Sequence, residues 1–237
     1  MPRFPRPVLV FSALLLLSLL GSWLVRFFEP SPPEQRETIA SRLKALGPKA
    51  EARLRPAFEE AGVAWPPARV VLAAFKEEKR LELYAAQKGG ALRHIRSYPI
   101  LAASGRPGPK LREGDRQVPE GRYRIEYLNP NSRFHLSMKL DYPNAFDRRH
   151  AAAEGRTGLG GDIMIHGKAV SIGCLAMGDP AAEELFVLAA RSGIENVEVI
   201  IAPVDFRVRA LPEKLAATLP PWTRELYDDL RKALAEL

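Results

Sequence analysis

Cys174 is the only cysteine in 237 residues, and His166 precedes it in the segment Gly161-Asp-Ile-Met-Ile-His-Gly-Lys-Ala-Val-Ser-Ile-Gly-Cys-Leu-Ala-Met177. A thiol that is protonated at neutral pH is a poor nucleophile, whereas a nearby imidazole can take its proton or pair with the thiolate. The spacing suits such a pair. A hydrophobic run delivers His166 to the end of a strand, Gly167 permits a sharp departure, and a short link suffices to return Cys174 to the imidazole. Gly173 lets a substrate backbone approach closely, and the amides of Gly173 and Cys174 are candidates for an oxyanion hole. From spacing alone a second reading stands beside this one: a lone cysteine is often a buried small hydrophobe, and a lone histidine is often structural. An activated thiolate would label well below pH 8.5, roughly the ordinary cysteine pKa, and a buried structural thiol would barely react.

The elements needed to hold that segment are legible around it. Strands are expected at Val70–Leu72, Leu81–Ala85, Leu92–Ile95, Tyr123–Tyr127, His135–Leu140, Asp162–Ile165 and Val197–Ile201, the first three as an antiparallel meander. A helix is expected from Pro180 to Ser192, with Asp179 as N-cap and Gly193 as its stop. A terminal amphipathic helix follows Pro220-Pro221, with Thr223 as its cap and Trp222, Leu226, Leu230 and Leu234 facing the domain. The expected fold is therefore mainly β within the α+β class, a sandwich or barrel with one packed helix.

Outside that body, Arg3 and Arg6 precede Val8–Val25, eighteen residues without a charge, and Arg26 follows at once. This run is just long enough to span a bilayer. Residues 1–30 are read as an uncleaved anchor, with a cleaved signal segment as the alternative, and the rest of the chain as exported. Residues 31–66 read as a helical stalk that Pro48 and Pro56 should interrupt, with Ile39, Leu43, Leu46, Leu54 and Phe58 as an apolar stripe. Residues 67–210 form the expected catalytic domain, and 211–237 carry the terminal helix.

The chain is basic, at +7, and stays at +5 (32 basic against 27 acidic residues) without residues 1–30. That suits a polyanionic wall polymer or a membrane surface. Nucleic acid is not indicated, because the basic residues are scattered and no base-stacking motif accompanies them. A zinc site would need three or four convergent ligands, which one cysteine and dispersed histidines do not supply. No metal and no cofactor are expected.

The pattern H-G-x-x-x-S-x-G-C, formed here by His166 to Cys174, resembles the active-site signature of the YkuD-type L,D-transpeptidases. Ser104-Gly105, Gly108-Pro-Lys-Leu-Arg-Glu-Gly-Asp115 and Gln117-Val-Pro-Glu-Gly121 resemble the stretch with which that family begins its substrate cleft. Leu128–Leu136, Tyr142–Asp147 and Gly155-Arg-Thr157 resemble its YafK branch. The resemblance runs from about Val70 to Arg209. It implies that Cys174 attacks the carbonyl of the third residue of a peptidoglycan tetrapeptide stem to form an acyl-enzyme, that His166 is the base, and that the Gly167 carbonyl orients the imidazole. The branch implies hydrolysis of the amide that joins the stem's diamino acid to a wall-linked lipoprotein. Transpeptidation is the alternative, and a non-catalytic wall-binding module is the alternative of another class. The commoner family pattern has a second histidine two places before the cysteine and often an arginine after it; this chain has Ile172, Leu175 and Ala176.

Further candidates rest on residue type. Ser171 either donates into the cleft or caps a turn. Asp115, Arg124 and Arg156 are candidates for contacting the stem's carboxylates or ordering the loops. His94 and His135 read as structural or exposed, and His150 as part of a polar turn at Asp147–His150.

Overall fold

The computed structural model describes residues 36–237; the anchor expected at 1–30 lies outside them. Among the described residues no helix is long and apolar enough to cross a membrane. Eight strands form one mixed sheet in the order β3-β2-β1-β8-β4-β5-β6-β7. The strands are β1 (Arg69–Phe75), β2 (Arg80–Ala86), β3 (Arg93–Pro99), β4 (Gly121–Asn129), β5 (Ser137–Leu140), β6 (Met164–His166), β7 (Leu175–Ala176) and β8 (Val197–Ala202). The meander of β1, β2 and β3 is antiparallel as expected, while β8 returns to pair in parallel with β1 and antiparallel with β4. Strand β4 changes partner along its length: Gly121–Arg124 pairs with β8, and Ile125–Asn129 pairs with β5 across a bulge at Ile125/Tyr127. A bulge of this kind bends the strand and so redirects the sheet. The candidate residues His166 and Cys174 lie at the β5-β6-β7 end.

Strand β1 explains why its sequence reads as an unbroken apolar run. Val70, Leu72 and Ala74 lie in one buried cluster, and Val71, Ala73 and Phe75 lie in the other, so both faces of the strand are covered. The first cluster is capped by α1 (Ile39–Glu60) and α3 (Asp179–Ser192), with α2 (Ala145–Ala153) beyond β5 in the chain. The second is capped by α5 (Thr223–Ala235), after a short α4 (Glu213–Ala216). Leu226, Leu230 and Leu234 are buried there, which is the docked terminal helix that its period implied.

Several local expectations are corrected. The segment read as a broken stalk is one 22-residue helix with Pro48 and Pro56 inside it, and it lies on the core through Ala50, Leu54 and Phe58. Each proline removes one backbone donor, leaving the carbonyls of Lys44 and Ala52 without their helical partners. Both prolines sit on the exposed face, where water can satisfy those carbonyls, while the buried face holds the helix to the sheet. The buried stripe also shifts: Ile39 is exposed, and Gly47 and Ala50 take the inner positions. Residues 145–153 are helical rather than a polar turn because Asn144 and Asp147 form a reciprocal capping box, each side chain accepting from the other's amide. Gly178, not Asp179, is the N-cap of α3. Thr223 is the first residue of α5, and its hydroxyl donates to the Pro220 carbonyl instead of capping the helix.

Candidate active site

Strand β6 is short and central to its end of the sheet, pairing antiparallel with β5 and parallel with β7. Its register with β7 places Ile165 beside Leu175 and His166 beside Ala176. Side chains alternate along a strand, and registered residues of parallel strands point to the same face. Ile165 and Leu175 therefore share the core, where both are fully buried. Cys174, one residue before Leu175, falls on the side of His166. The two-residue parallel ladder thus sets Cys174 and His166 on the same side of this end of the sheet, and no hydrogen bond joins Sγ to the imidazole.

The imidazole is closely held. His166 is 2% exposed, and its Nδ1 lies 2.6 Å from the Gly167 carbonyl oxygen. A carbonyl only accepts, so Nδ1 carries the proton and Nε2 presents a lone pair. That lone pair is what a general base requires. Burial pulls the imidazole pKa below its ordinary value, with the Gly167 carbonyl opposing. Phe134 covers one face of the ring at a centroid distance of 4.6 Å. Gly167 is required by crowding: a Cβ there would lie 2.6 Å from both the Phe134 carbonyl oxygen and Asp179 Oδ1.

The thiol is held differently. Cys174 is half-buried, and its Sγ donates to the Asp162 carbonyl oxygen at 3.6 Å. Burial pushes the thiol pKa up; the Met164 amide opposes this, Asp162 adds to it, and the Lys110 ammonium opposes it again. Burial thus disfavours the charged form of each partner.

The two amides expected to form an oxyanion hole already have partners. Gly173 N donates to Ser104 Oγ at 2.6 Å, and Cys174 N donates to Ser171 Oγ at 3.0 Å. Ser171 Oγ in turn donates to the Cys174 carbonyl at 2.6 Å, so it caps the nucleophile's own turn. Gly173 adopts φ +94°, a conformation costly for any other residue, with its Cα side facing the Gln117 carbonyl.

The polar candidates around the site order its loops. Asp115 accepts from Lys110 Nζ at 2.6 Å and from the amides of Leu111, Arg112 and Gln117, closing the 110–117 loop on itself. Arg156 donates to the Leu111 carbonyl and pairs with Glu154. Arg124 lies on β4 and donates to the Glu195 carbonyl after α3. No hydrogen bond joins any of these three to Cys174 or His166. His150 stacks on Trp222 at 4.7 Å, His94 bonds Ser97, and His135 bonds Glu183. Among the described residues no group of three or more His, Cys, Asp or Glu could hold a metal. The residue types missed Ser104, Lys110 and Phe134 as members of the site, although all three stand inside segments whose order is informative.

Residues 69–201 match the profile of the YkuD family, the L,D-transpeptidase catalytic domain. Over 139 residues, 56% of this chain and 54% of the relative, the sequence is 39% identical to the protein named Putative L,D-transpeptidase YafK of Escherichia coli K12, and equally to that of Escherichia coli O157:H7. The chain spans about half the length of the curated relatives it matches. Among solved structures, the helical cell shape determining protein Pgp2 of Campylobacter jejuni is similar at 22% identity and TM-score 0.46, over 62% of this chain and 54% of that one. Bd1075 of Bdellovibrio bacteriovorus is similar at 21% identity and TM-score 0.43, over 73% and 56%. With more than half of its residues in the family profile, this chain belongs to the L,D-transpeptidase catalytic-domain family.

Proposed function

We propose that Cys174 and His166 are the nucleophile and base of a periplasmic enzyme that hydrolyses the amide between the diamino acid of a peptidoglycan stem and an attached lipoprotein. The observation that carries this reading is the fixed imidazole tautomer: Nδ1 is committed to the Gly167 carbonyl, which leaves the Nε2 lone pair to take a proton, on the side of the sheet where Cys174 emerges.

The thiol leaves the Asp162 carbonyl and passes its proton to Nε2 as Sγ bonds to the carbonyl carbon of the stem's third residue. The carbonyl π electrons move to oxygen, giving a tetrahedral oxyanion. As the oxyanion collapses, the C–N bond breaks and the departing amine takes the proton from the imidazolium, leaving a thioester on Cys174. Water then attacks the thioester with His166 again as base. The S–C bond breaks, the imidazolium returns its proton to the thiolate, and the stem is left with a carboxylic acid that ionises to solvent. Lys110, whose charge already favours the thiolate, would favour the oxyanion for the same electrostatic reason. A basic surface held outside the membrane by residues 1–30 would keep the enzyme beside an anionic wall polymer.

The test is to incubate the protein and its Cys174→Ala variant with lipoprotein-linked sacculi and with muropeptides, and to read soluble products by mass spectrometry. Cysteine-dependent release of the lipoprotein remnant without new cross-links is the expected result. New stem-to-stem or stem-to-protein amides would make the acceptor an amine and the reaction a transpeptidation. Products identical to those of the variant would refute catalysis on these substrates.

A further inference from the structure

We propose that Phe134 and His135 form a positioning clamp on His166, and that Arg53 of helix α1 sets this clamp through Glu183. The inference takes from the proposed function only that His166 is the base.

His166 is nearly inaccessible although the site must meet a substrate, while Phe134 above it is 37% exposed. The tilted contact, with 35° between the planes, makes the phenyl ring the outer wall of the imidazole. Phe134 itself is anchored through its neighbour. His135 adopts φ +74°, a left-handed conformation that L side chains rarely take. Such strain persists only where surroundings fix it. Here His135 Nε2 reaches Glu183 Oε1 on α3 at 3.0 Å, and the Phe134 carbonyl closes on Gly167 so tightly that no Cβ fits between them.

Glu183 is in turn shared with α1. Arg53 Nη2 donates to Glu183 Oε2 at 3.0 Å, and Arg53 Nε donates to the buried Glu184 at 2.6 Å. Glu184 also accepts from Arg96 and Tyr98 on β3, so Arg53 is tied to the body of the sheet as well. The charged groups facing His135 are Glu183 and Asp179 on α3, and Asp179 is already paired with Lys168 at 3.2 Å. Helix α1 lies outside the residues that match the family profile. The clamp would therefore make an element outside the catalytic domain's common stretch part of the base's setting.

The clamp acts by desolvation and by fixing the ring plane. Removing the phenyl cover lets water reach the imidazole and favours its charged form, so the base is lost at a higher pH than in the parent. A merely structural role would lower stability without moving that titration. The experiment is a carbon-13 NMR titration of labelled histidines in the full-length protein in detergent micelles, with His166→Gln assigning the signal, alongside the acid limb of turnover on lipoprotein-linked muropeptides.

Phe134→Ala should raise the His166 midpoint by on the order of one pH unit and move the acid limb with it. Phe134→Tyr should keep the parental midpoint. Glu183→Ala, which frees His135 and so loosens Phe134 without removing its ring, should move it by a few tenths of a unit in the same direction. A folded Phe134→Ala protein whose His166 titrates as in the parent would overturn the clamp. Unchanged titration in Glu183→Ala would overturn the part assigned to α1. If Phe134→Ala does not fold, Glu183→Ala decides alone, with an unmoved midpoint counting against the proposal. If the parent turns over no substrate, the proposed function fails while the titration still decides the clamp.

Discussion

The two halves of the candidate pair are built in opposite ways. His166 ends a strand hydrogen-bonded on both sides, its ring is fixed at Nδ1 and covered by Phe134, and the following residue has no room for a side chain. Cys174 ends a turn whose amides are held by two serine hydroxyls, and its thiol points to a loop carbonyl 3.6 Å away. The proposed base is thus pre-set by the sheet, whereas the proposed nucleophile's turn rests on small, replaceable contacts. Any rearrangement needed to open an oxyanion hole falls on the cysteine side, where the bonds to be exchanged are two neutral hydroxyl contacts.

That contrast can be broken most severely at the nucleophile. Cys174→Ala should abolish thiol-dependent turnover, a loss of about 10³-fold or more, with the melting temperature little changed because the side chain is half-exposed. His166→Gln should cost about 10²–10⁴-fold in kcat, the usual contribution of a positioned base. Turnover within tenfold of the parent would mean that another group takes the proton. Gly167→Ala should lower stability by about 1–3 kcal/mol in denaturant unfolding, because the added methyl meets the Phe134 backbone and Asp179. On the cysteine side, Ser104→Ala should cost only about 0.5–1.5 kcal/mol of stability, one hydrogen bond's worth, and its folding should remain cooperative.

Acid–base behaviour sharpens the same comparison without a large effect. Burial raises the Cys174 pKa and lowers that of His166, so the thiolate forms late and the free base persists to lower pH than usual. Alkylation of Cys174 by iodoacetamide should therefore keep accelerating above about pH 8.5, where an ordinary thiol begins to level. A labelling rate already saturated at pH 7 would instead indicate a pre-formed thiolate–imidazolium pair.

Much of the histidine half was legible in the sequence, and less of the cysteine half. A strand ending in His-Gly, with a serine and glycine before the cysteine, dictates a return of the chain, and the parallel β6-β7 ladder realises it. The occupancy of the Gly173 and Cys174 amides was not legible for the pair: Ser104 reaches Gly173 from 69 residues away, and no periodicity encodes such a contact. Only the Ser171 contact, three residues away in the chain, has a local signal, the preference of serine for capping turns. Propensity counts both prolines as breakers of helix α1, whereas Leu54, Phe58 and Arg53 hold its inner face to the domain strongly enough to keep it continuous. Strand β8 was found, but its parallel pairing with β1 is a long-range choice that its apolar run does not specify. The helix at 145–153 was hidden because its start is Asn144 with Asp147, a weaker form of the usual capping signature.

The central claim is that Cys174 carries the acyl group. Intact-protein mass spectrometry of the parent, quenched in acid during turnover of lipoprotein-linked muropeptide, tests it most directly. The account predicts an added mass equal to the stem fragment without its leaving amine, located on the Cys174 peptide, lost in Cys174→Ala and released by hydroxylamine. Release of the lipoprotein remnant by the Cys174→Ala variant at the parental rate, with no adduct at Cys174 in the parent, would contradict it.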